Sequence, residues 1–502
     1  ADGGKLDLGE KPFVRLCWGL YLFTPSRVGL SIIAGPRSGE GGRDWTVEGL
    51  ATIAQLKSLE SEDRELAFSA WKRVLEEKES LDEETHRGIW QAVRERHKGL
   101  LRTPFGVLVG SAALVRQVLT TPGDFSVAGY DERLSRCVGA NYLGMDPPLH
   151  DEKATAANYC FNQISREEAF SATFERAAAL LDGLSKVGGQ ATIPMLKYVD
   201  LTLAEVSKHF FGVPDQTTLL EVGQGKERKT DAAIEAGGEA PAVVIEVEVD
   251  GEKVSKVVPA PSSHCPHHVI SSSRFVFQPR PSDPVDATAT AEGRRLRAAM
   301  DSFLAALPKQ PGRWGRPHLE KLYKALKAEG LEADFSAVLL GALLGYMPTV
   351  QGNFLFSTRD WLRSRDFWRV QNEYLACRRR GLAPEQAAFE AIAPWLEETI
   401  ARRPIPAMIH RRATRDLTLG DLELREGEML VVGLVSAAAE SDFTDVSPAF
   451  GGNYEDDPKA THACPGQKLG MGTLLGMIAA LFELKGTLRR APSTSALLYD
   501  PP

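Results

Sequence analysis

The chain has 502 residues, 43% of them hydrophobic and 25% charged, the balance of a globular protein with room for a large core and an internal ligand chamber. Its net charge of -8 is spread thinly, and the densest basic run, Arg378-Arg379-Arg380, reads as a solvated helix end. Nucleic acid is therefore a poor partner, because phosphate binding needs clustered Lys and Arg.

Cysteines stand at 17, 137, 160, 265, 377 and 464 without paired spacing. That pattern points away from a disulfide framework and toward a reducing, cytoplasmic setting. No stretch supplies the roughly 18 consecutive apolar residues of a spanning helix. The most apolar early segment, Leu16–Ala34, is broken by Thr24-Pro-Ser-Arg27. It is expected to pack as core, with peripheral membrane contact as the alternative. The sequence starts at Ala1 with no signal-peptide pattern.

Residues 1–100 are charged and helix-rich, with helical periodicity at Ala67–Leu75 and Thr85–Val93. Phe105–Gly110 reads as a short apolar strand, followed by a helix over Ser111–Leu119 that Pro122 and Gly123 stop. Long helices follow at 166–185 and 196–211, the second closed by Phe211-Gly-Val-Pro214. Composition shifts over residues 215–270. There Ile245, Val247 and Val249 alternate with Glu246, Glu248 and Asp250 before Gly251, the pattern of a β-hairpin. It is read as a hairpin inserted into a helical protein, with residues 1–502 one domain and 1–100 its N-terminal extension. Helices resume at Ala291–Leu307, Leu319–Glu329, Phe335–Leu355 and Glu385–Ile400, the last bent by Pro394. Two strand segments, Leu417–Leu424 and Glu428–Val435, flank a turn at Arg425–Gly427, and a last helix runs over Gln467–Glu483. The fold class is mainly α with small β-sheets.

The segment that carries chemistry is Thr461-His462-Ala463-Cys464-Pro465-Gly466-Gln467-Lys468-Leu469-Gly470, which opens the last helix. A thiolate is an electron-rich axial ligand for heme iron. A Cys just before a helix N-terminus has its charge stabilised by unpaired backbone N–H groups and the helix dipole. Gly466 is expected to keep that backbone close to the sulfur. Gly470, Gly472 and Gly476 are expected to let the helix lie near a flat macrocycle, and His462 to donate to a heme propionate. Taken alone, the segment also suits a buried structural thiol.

Three further segments accompany it in order: Asp124-Phe-Ser-Val-Ala-Gly-Tyr130, Met145-Asp-Pro-Pro-Leu-His150, and His410-Arg-Arg-Ala-Thr-Arg-Asp416 with Val435-Ser-Ala-Ala-Ala439 after it. Together with the Cys464 segment they resemble the cytochrome P-450 superfamily, across roughly residues 100–485. The resemblance implies a triangular prism with a β-rich lobe and heme b (iron protoporphyrin IX), with Cys464 as the ligand to the metal. His150, Arg411 and His462 would be propionate contacts. It also implies an apolar small-molecule substrate.

Four departures bear on mechanism. The family's Phe lies seven residues before Cys, whereas here Asp457 stands there and Phe450-Gly-Gly452 comes earlier, as if about seven residues were inserted. In the Glu-x-x-Arg pair, Glu398 is followed by Ala401, with Arg402 and Arg403 as neighbours. His150 is followed four residues later by Ala154 instead of Arg. In the central helix, Gly345-Tyr-Met-Pro-Thr-Val-Gln-Gly-Asn353, Pro348 takes the place of the acid before Thr349. Proline kinks a helix and frees a carbonyl but carries no proton to give. Gln351-Gly-Asn353 is similar to prostacyclin synthase and to the allene oxide synthase and hydroperoxide lyase branch, whose members rearrange a peroxide.

Thr349, Gln351 and Asn353 are thus the candidate catalytic residues. Two readings are open: an atypical heme-thiolate enzyme working on a peroxide, or a dioxygen-dependent monooxygenase fed by a separate ferredoxin or flavin reductase. His264-Cys-Pro-His-His268 is expected to be a surface loop, since structural zinc sites draw on two separated ligand pairs.

Overall fold

The computed structural model describes residues 83–103, 106–185, 191–212, 242–249, 252–259, 273, 276–277, 283–305, 307, 312, 314–452, 462–491 and 496–500. Leu16–Ala34, Ala67–Leu75 and the His264–His268 cluster lie outside the described residues. The chain divides into two compact units, Ala1–Ile89 and Trp90–Pro502. The second unit carries a β-rich lobe and a helical part.

The β-rich lobe is a five-stranded sheet. Strands β1 (Leu100–Thr103) and β2 (Gly106–Val109) form a hairpin at one edge, and β3 (Phe125–Ser126) forms the other. Between them lie β7 (Met408–Ala413) and β10 (Met429–Gly433), in the order β1-β2-β10-β7-β3. Only β10 and β2 run parallel, and β10 pairs antiparallel with β7 so that Leu430 faces Arg411. This corrects one expected pairing. Leu417–Leu424 does not partner 428–435. It folds on itself as β8 (Leu417–Leu419) and β9 (Leu422–Leu424), reversing at Gly420 with φ +56°. A positive φ there suits glycine, and it lets a three-residue hairpin arm close locally. The segment after β10 turns helical at Leu434–Glu440.

A second sheet joins β4 (Ala191–Pro194) to the C-terminal strands β11 (Thr487–Arg490) and β12 (Ala496–Asp500). The hairpin expected near residue 245 is present as β5 (Ala242–Val249) and β6 (Glu252–Pro259).

The helical part is built on two buried rods. The central helix, Phe335–Ser364, is 30 residues long and runs through Pro348 without a break, nine residues past its expected end. It is apolar and long enough to span a membrane, yet 72% of its most apolar window is buried inside the protein. The terminal helix, Gln467–Phe482, buries all of its side chains from Met471 to Phe482. It crosses helix Arg166–Ser185 at contact distance, because Gly472 and Gly476 carry no side chain. A Cβ on Gly472 would lie 2.3 Å from the Arg166 carbonyl oxygen, and one on Gly476 would lie 2.8 Å from that of Phe170. These two glycines therefore serve helix–helix packing, which corrects the expectation that they leave room for a macrocycle. Gly470 is the exception: its nearest neighbour, Val350 on the central helix, is 3.7 Å away. The expected helix at 385–400 is two helices, Pro384–Ala391 and Ala393–Arg402, with Pro394 in the first turn of the second.

Candidate heme-thiolate site

Cys464 precedes the terminal helix, and its backbone N–H donates to the carbonyl of Phe450 at 2.8 Å. The Phe-Gly-Gly segment that is displaced in sequence is thereby brought beside the cysteine. Gly451 and Gly452, with φ of +74° and +108°, make the bend that permits it. Of the four described cysteines, Cys464 alone is exposed. Burial nonetheless pushes its thiol pKa up. The Gly466 N–H donates to the sulfur and pulls the pKa back down. That N–H is the contribution of Gly466. A Cβ there would make only an ordinary 3.8 Å contact with the sulfur, so the expected steric role of its missing side chain falls away.

Three elements bring the other anchoring candidates together. His150 sits in the first turn of helix Leu149–Phe161, Arg411 in the middle of β7, and His462 on the cysteine loop. The rings of His150 and His462 are 4.2 Å apart between centroids. His150 Nδ1 is 2.9 Å from Asp151 Oδ1. His462 has a pKa pushed down to about 2 by burial, with the charges of Arg411 and His150 adding to it. It is a neutral imidazole, and its buried Nε2 has no hydrogen-bond partner. Arg411 is 5% exposed. Among the described residues its guanidinium donates only to the neighbouring His410 carbonyl, at 2.8 Å. Among the described residues no carboxylate lies within ion-pair distance of it.

A buried guanidinium with no carboxylate at ion-pair distance and a buried imidazole nitrogen without a partner are each costly. The carboxylates of a protoporphyrin would relieve both. The residues present fit a heme: an accessible thiol for the iron, and the Arg411 guanidinium with the His462 imidazole for the propionates.

The central helix packs on the terminal helix that follows Cys464. Over its first twenty residues, Phe335–Phe354, every residue is buried except Ala342, Gly345 and Thr349, which are partly open. Their spacing of three and four places them on one face, and a Cβ on Gly345 would meet nothing within 4 Å. The same stretch touches the terminal helix through Tyr346 Oη and Thr473 Oγ1, 2.8 Å apart. Thr349 Oγ1 donates to the carbonyls of Gly345 and Tyr346 at 2.5 and 3.1 Å. Asn353 lies one turn on along that face, 8% exposed, and among the described residues its amide makes no hydrogen bond.

Gln351 is placed differently. It lies on the opposite side of the helix, where its amide donates to Asp200 of helix Met195–Phe211. Burial raises the Asp200 carboxyl to about 6, while the Gln351 bond lowers it. An amide committed to that carboxylate cannot serve the open face, so Gln351 is corrected from catalytic candidate to a packing contact.

The broken Glu-x-x-Arg pair has a local substitute. Arg402 bonds Glu398 one turn back at 2.8 Å and lies 4.7 Å over the Phe443 ring, tying the helix to the loop after Leu434–Glu440.

Comparison with solved structures agrees with this architecture. The chain superposes on cytochrome P450 BioI, crystallised with a hexadec-9Z-enoic acid ligated acyl carrier protein. The TM-score is 0.55 at 13% identity, over 84% of this chain and 99% of that one. A cytochrome P450 of Sorangium cellulosum gives 0.54 at 18% identity, over 81% and 90%. One from Chondromyces apiculatus gives 0.53 at 16%, over 83% and 95%. The fold is that of the cytochromes P450. No family model matches the sequence, and no curated protein does either.

Two residues of this P450 fold escaped the sequence reading. Tyr142 packs against the central helix, where a Cβ on Gly341 would lie 3.2 Å from its ring. Its phenol pKa is raised by burial and by the charge of Cys464. His410 lies beside Arg411 with a buried, unpartnered Nε2. Neither has a spacing signal, since each depends on which strand or helix faces it.

Proposed function

We propose that the chain is a heme-thiolate oxidoreductase of P450 type, acting on an apolar small molecule in the space between Cys464 and the open face of the central helix. The observation that carries this is the meeting of three segments distant in sequence: the accessible thiol of Cys464 with His462 on its loop, Arg411 on β7, and His150, whose ring lies 4.2 Å from that of His462. When bound, the heme supplies redox chemistry at its iron, which a thiolate ligand biases toward O–O cleavage. The chain's own part is to hold and to position. The Gly466 N–H stabilises the sulfur, Arg411 and His462 hold carboxylates, and the apolar stripe at Ala342 and Gly345 receives substrate.

Within that class the favoured chemistry consumes or rearranges a peroxide. Pro348 occupies the position of the proton-donating acid, and the Thr349 hydroxyl already donates to its own helix. General-acid help is typically worth about 10²–10⁴ in rate. Asn353 carries a neutral amide, able to donate to one oxygen and accept from another at any working pH. The second reading is a monooxygenase that takes electrons from a ferredoxin or flavin partner. It draws on the place of Thr349 on the open face.

Cys464→Ala tests the class. It is expected to abolish the thiolate-type absorption of the ferrous carbon monoxide complex, and a retained band would overturn it. Product formed per electron consumed, with a surrogate reductase, tests the chemistry. Weak coupling alongside turnover driven by hydrogen peroxide or a lipid hydroperoxide is expected, whereas coupling above about half at ordinary rates of roughly 1–10³ per second would restore the monooxygenase.

A further inference from the structure

The last turns of the central helix carry Phe356, Arg359, Asp360 and Arg363. Arg359 is 7% exposed, and its guanidinium lies 4.6 Å over the Phe356 ring. Arg403, just past helix Ala393–Arg402, brings a second guanidinium to 4.2 Å from the same ring. Asp360 is the acid that serves both. Arg359 Nε and Arg403 Nη1 donate to its two carboxylate oxygens, each at 3.4 Å.

One carboxylate does not balance this cluster. Both contacts are longer than a close charge-assisted hydrogen bond of about 2.7–2.9 Å. Among the described residues, the other N–H donors of the two guanidinium forks have no acceptor. Burial and the charge of Arg403 pull the Arg359 pKa down, Arg363 adds to this, and Asp360 offsets it only in part. Stacking on Phe356 accounts for a guanidinium as a cation–π contact, and the negative end of the helix dipole answers about half a charge. Neither explains several cations around a single acid. The side chains of Arg403 and Asp360 are 25% and 29% exposed, so the cluster is open to a ligand. Planar forks short of negative charge suit an oxyanion.

We infer that Arg359 and Arg403, with Arg363 one turn on, form a binding site for an oxyanion, the carboxylate or phosphate of a small molecule. The anion is either a free ion or the polar end of the substrate. Phe356 and Asp360 continue the spacing of Thr349 and Asn353 along one face of the helix, and Arg359 stands about 15 Å along the axis from Thr349. An apolar acid of that reach, laid along the face, would bring its carboxylate to the arginines. This second source rests on the function proposed above, and the first does not.

The full chain at low ionic strength is titrated by calorimetry with inorganic phosphate, and with dodecanoic acid beside 1-dodecanol. The wild type is expected to bind phosphate, to prefer the acid over the alcohol, or to do both. Arg403→Gln is expected to cost about tenfold in that binding or preference, the size of one charge-assisted hydrogen bond. Arg359→Met, which keeps the packing on Phe356, is expected to cost the same and serves if Arg403→Gln does not fold. Arg415→Gln removes an equal charge from an exposed pair with Asp124 and is expected to change little. Asp360→Asn is expected to tighten anion binding about fivefold, because a like charge leaves the site. Arginines that only tie the two helices together would gain nothing from that change. An Arg403→Gln effect on phosphate alone assigns a free ion, and an effect on the acid's preference assigns the substrate's end. A wild type that neither binds phosphate nor prefers the acid, binding that survives Arg403→Gln, or an Asp360→Asn variant that binds no tighter, overturns the inference. A wild type without the thiolate-type carbon monoxide band would instead count against the function proposed above, and the phosphate titration would still decide the site.

Discussion

Replacing Gly472 by alanine places a methyl group 2.3 Å from the Arg166 carbonyl oxygen, 2.6 Å from the Ala169 Cβ and 2.9 Å from the Phe170 nitrogen. None of these atoms can rotate aside, so the terminal helix must move off helix Arg166–Ser185 by about 1 Å to reach normal contact. Overpacking of this kind costs about 1–3 kcal/mol, and contact with backbone puts it near the top of that range. Against it stands the better helix propensity of alanine, worth about 1 kcal/mol. The net expectation is a loss of about 2 kcal/mol. Gly470→Ala is the internal control. Its methyl meets only Val350 at 3.7 Å, so the propensity gain should survive, and the two variants should differ by about 3 kcal/mol. Urea unfolding followed by circular dichroism at 222 nm reads this as a difference in midpoints, a safer quantity than an extrapolated free energy for a chain of this length. If Gly472→Ala unfolds within about 0.5 kcal/mol of the wild type, the close helix crossing is wrong. The assignment of these glycines to packing would fall with it.

Three other outcomes are expected. The folded state raises the Asp200 carboxyl to about 6 from an ordinary 3.8, so the native protein binds this proton more tightly than the unfolded chain. Stability should then fall as pH rises from about 4 to 6, by about 1–2 kcal/mol once partial solvent contact is allowed for. Asp200→Asn should lack this fall, and parallel midpoint–pH curves for variant and wild type would contradict it. Arg411→Ala and His462→Ala should each weaken heme retention by about 1–3 kcal/mol, measured as transfer of heme to apomyoglobin; unchanged transfer rates would remove them from the propionate site. Asn353→Ala should damage peroxide-driven turnover far more than Gln351→Leu, because Gln351 is spent on Asp200. Equal losses would put both amides on the same face.

Local pattern alone identified the elements that form by local rules. The central and terminal helices, the hairpin near residue 245 and the stop at Gly212, which adopts φ +65°, follow from periodicity and from residues suited to particular backbone angles. The Cys464 segment was legible for the same reason, since a cysteine, a glycine and a helix start lie within ten residues. Pairing at a distance was not. Leu417–Leu424 and 428–435 carry the same alternation, and only the assembled sheet shows that β10 takes β7 and β2 as neighbours while β8 and β9 pair with each other. Gly472 and Gly476 look alike whether they face a macrocycle or a helix. The neighbour that decides it, Arg166–Ser185, lies some three hundred residues away in the chain. Gln351 and Asn353 are two residues apart, but a helix turns about 200° over that distance, which sends one amide to Asp200 and the other to the open face. Sequence spacing names the residues that can do the chemistry, and burial and facing decide which of them are free to do it.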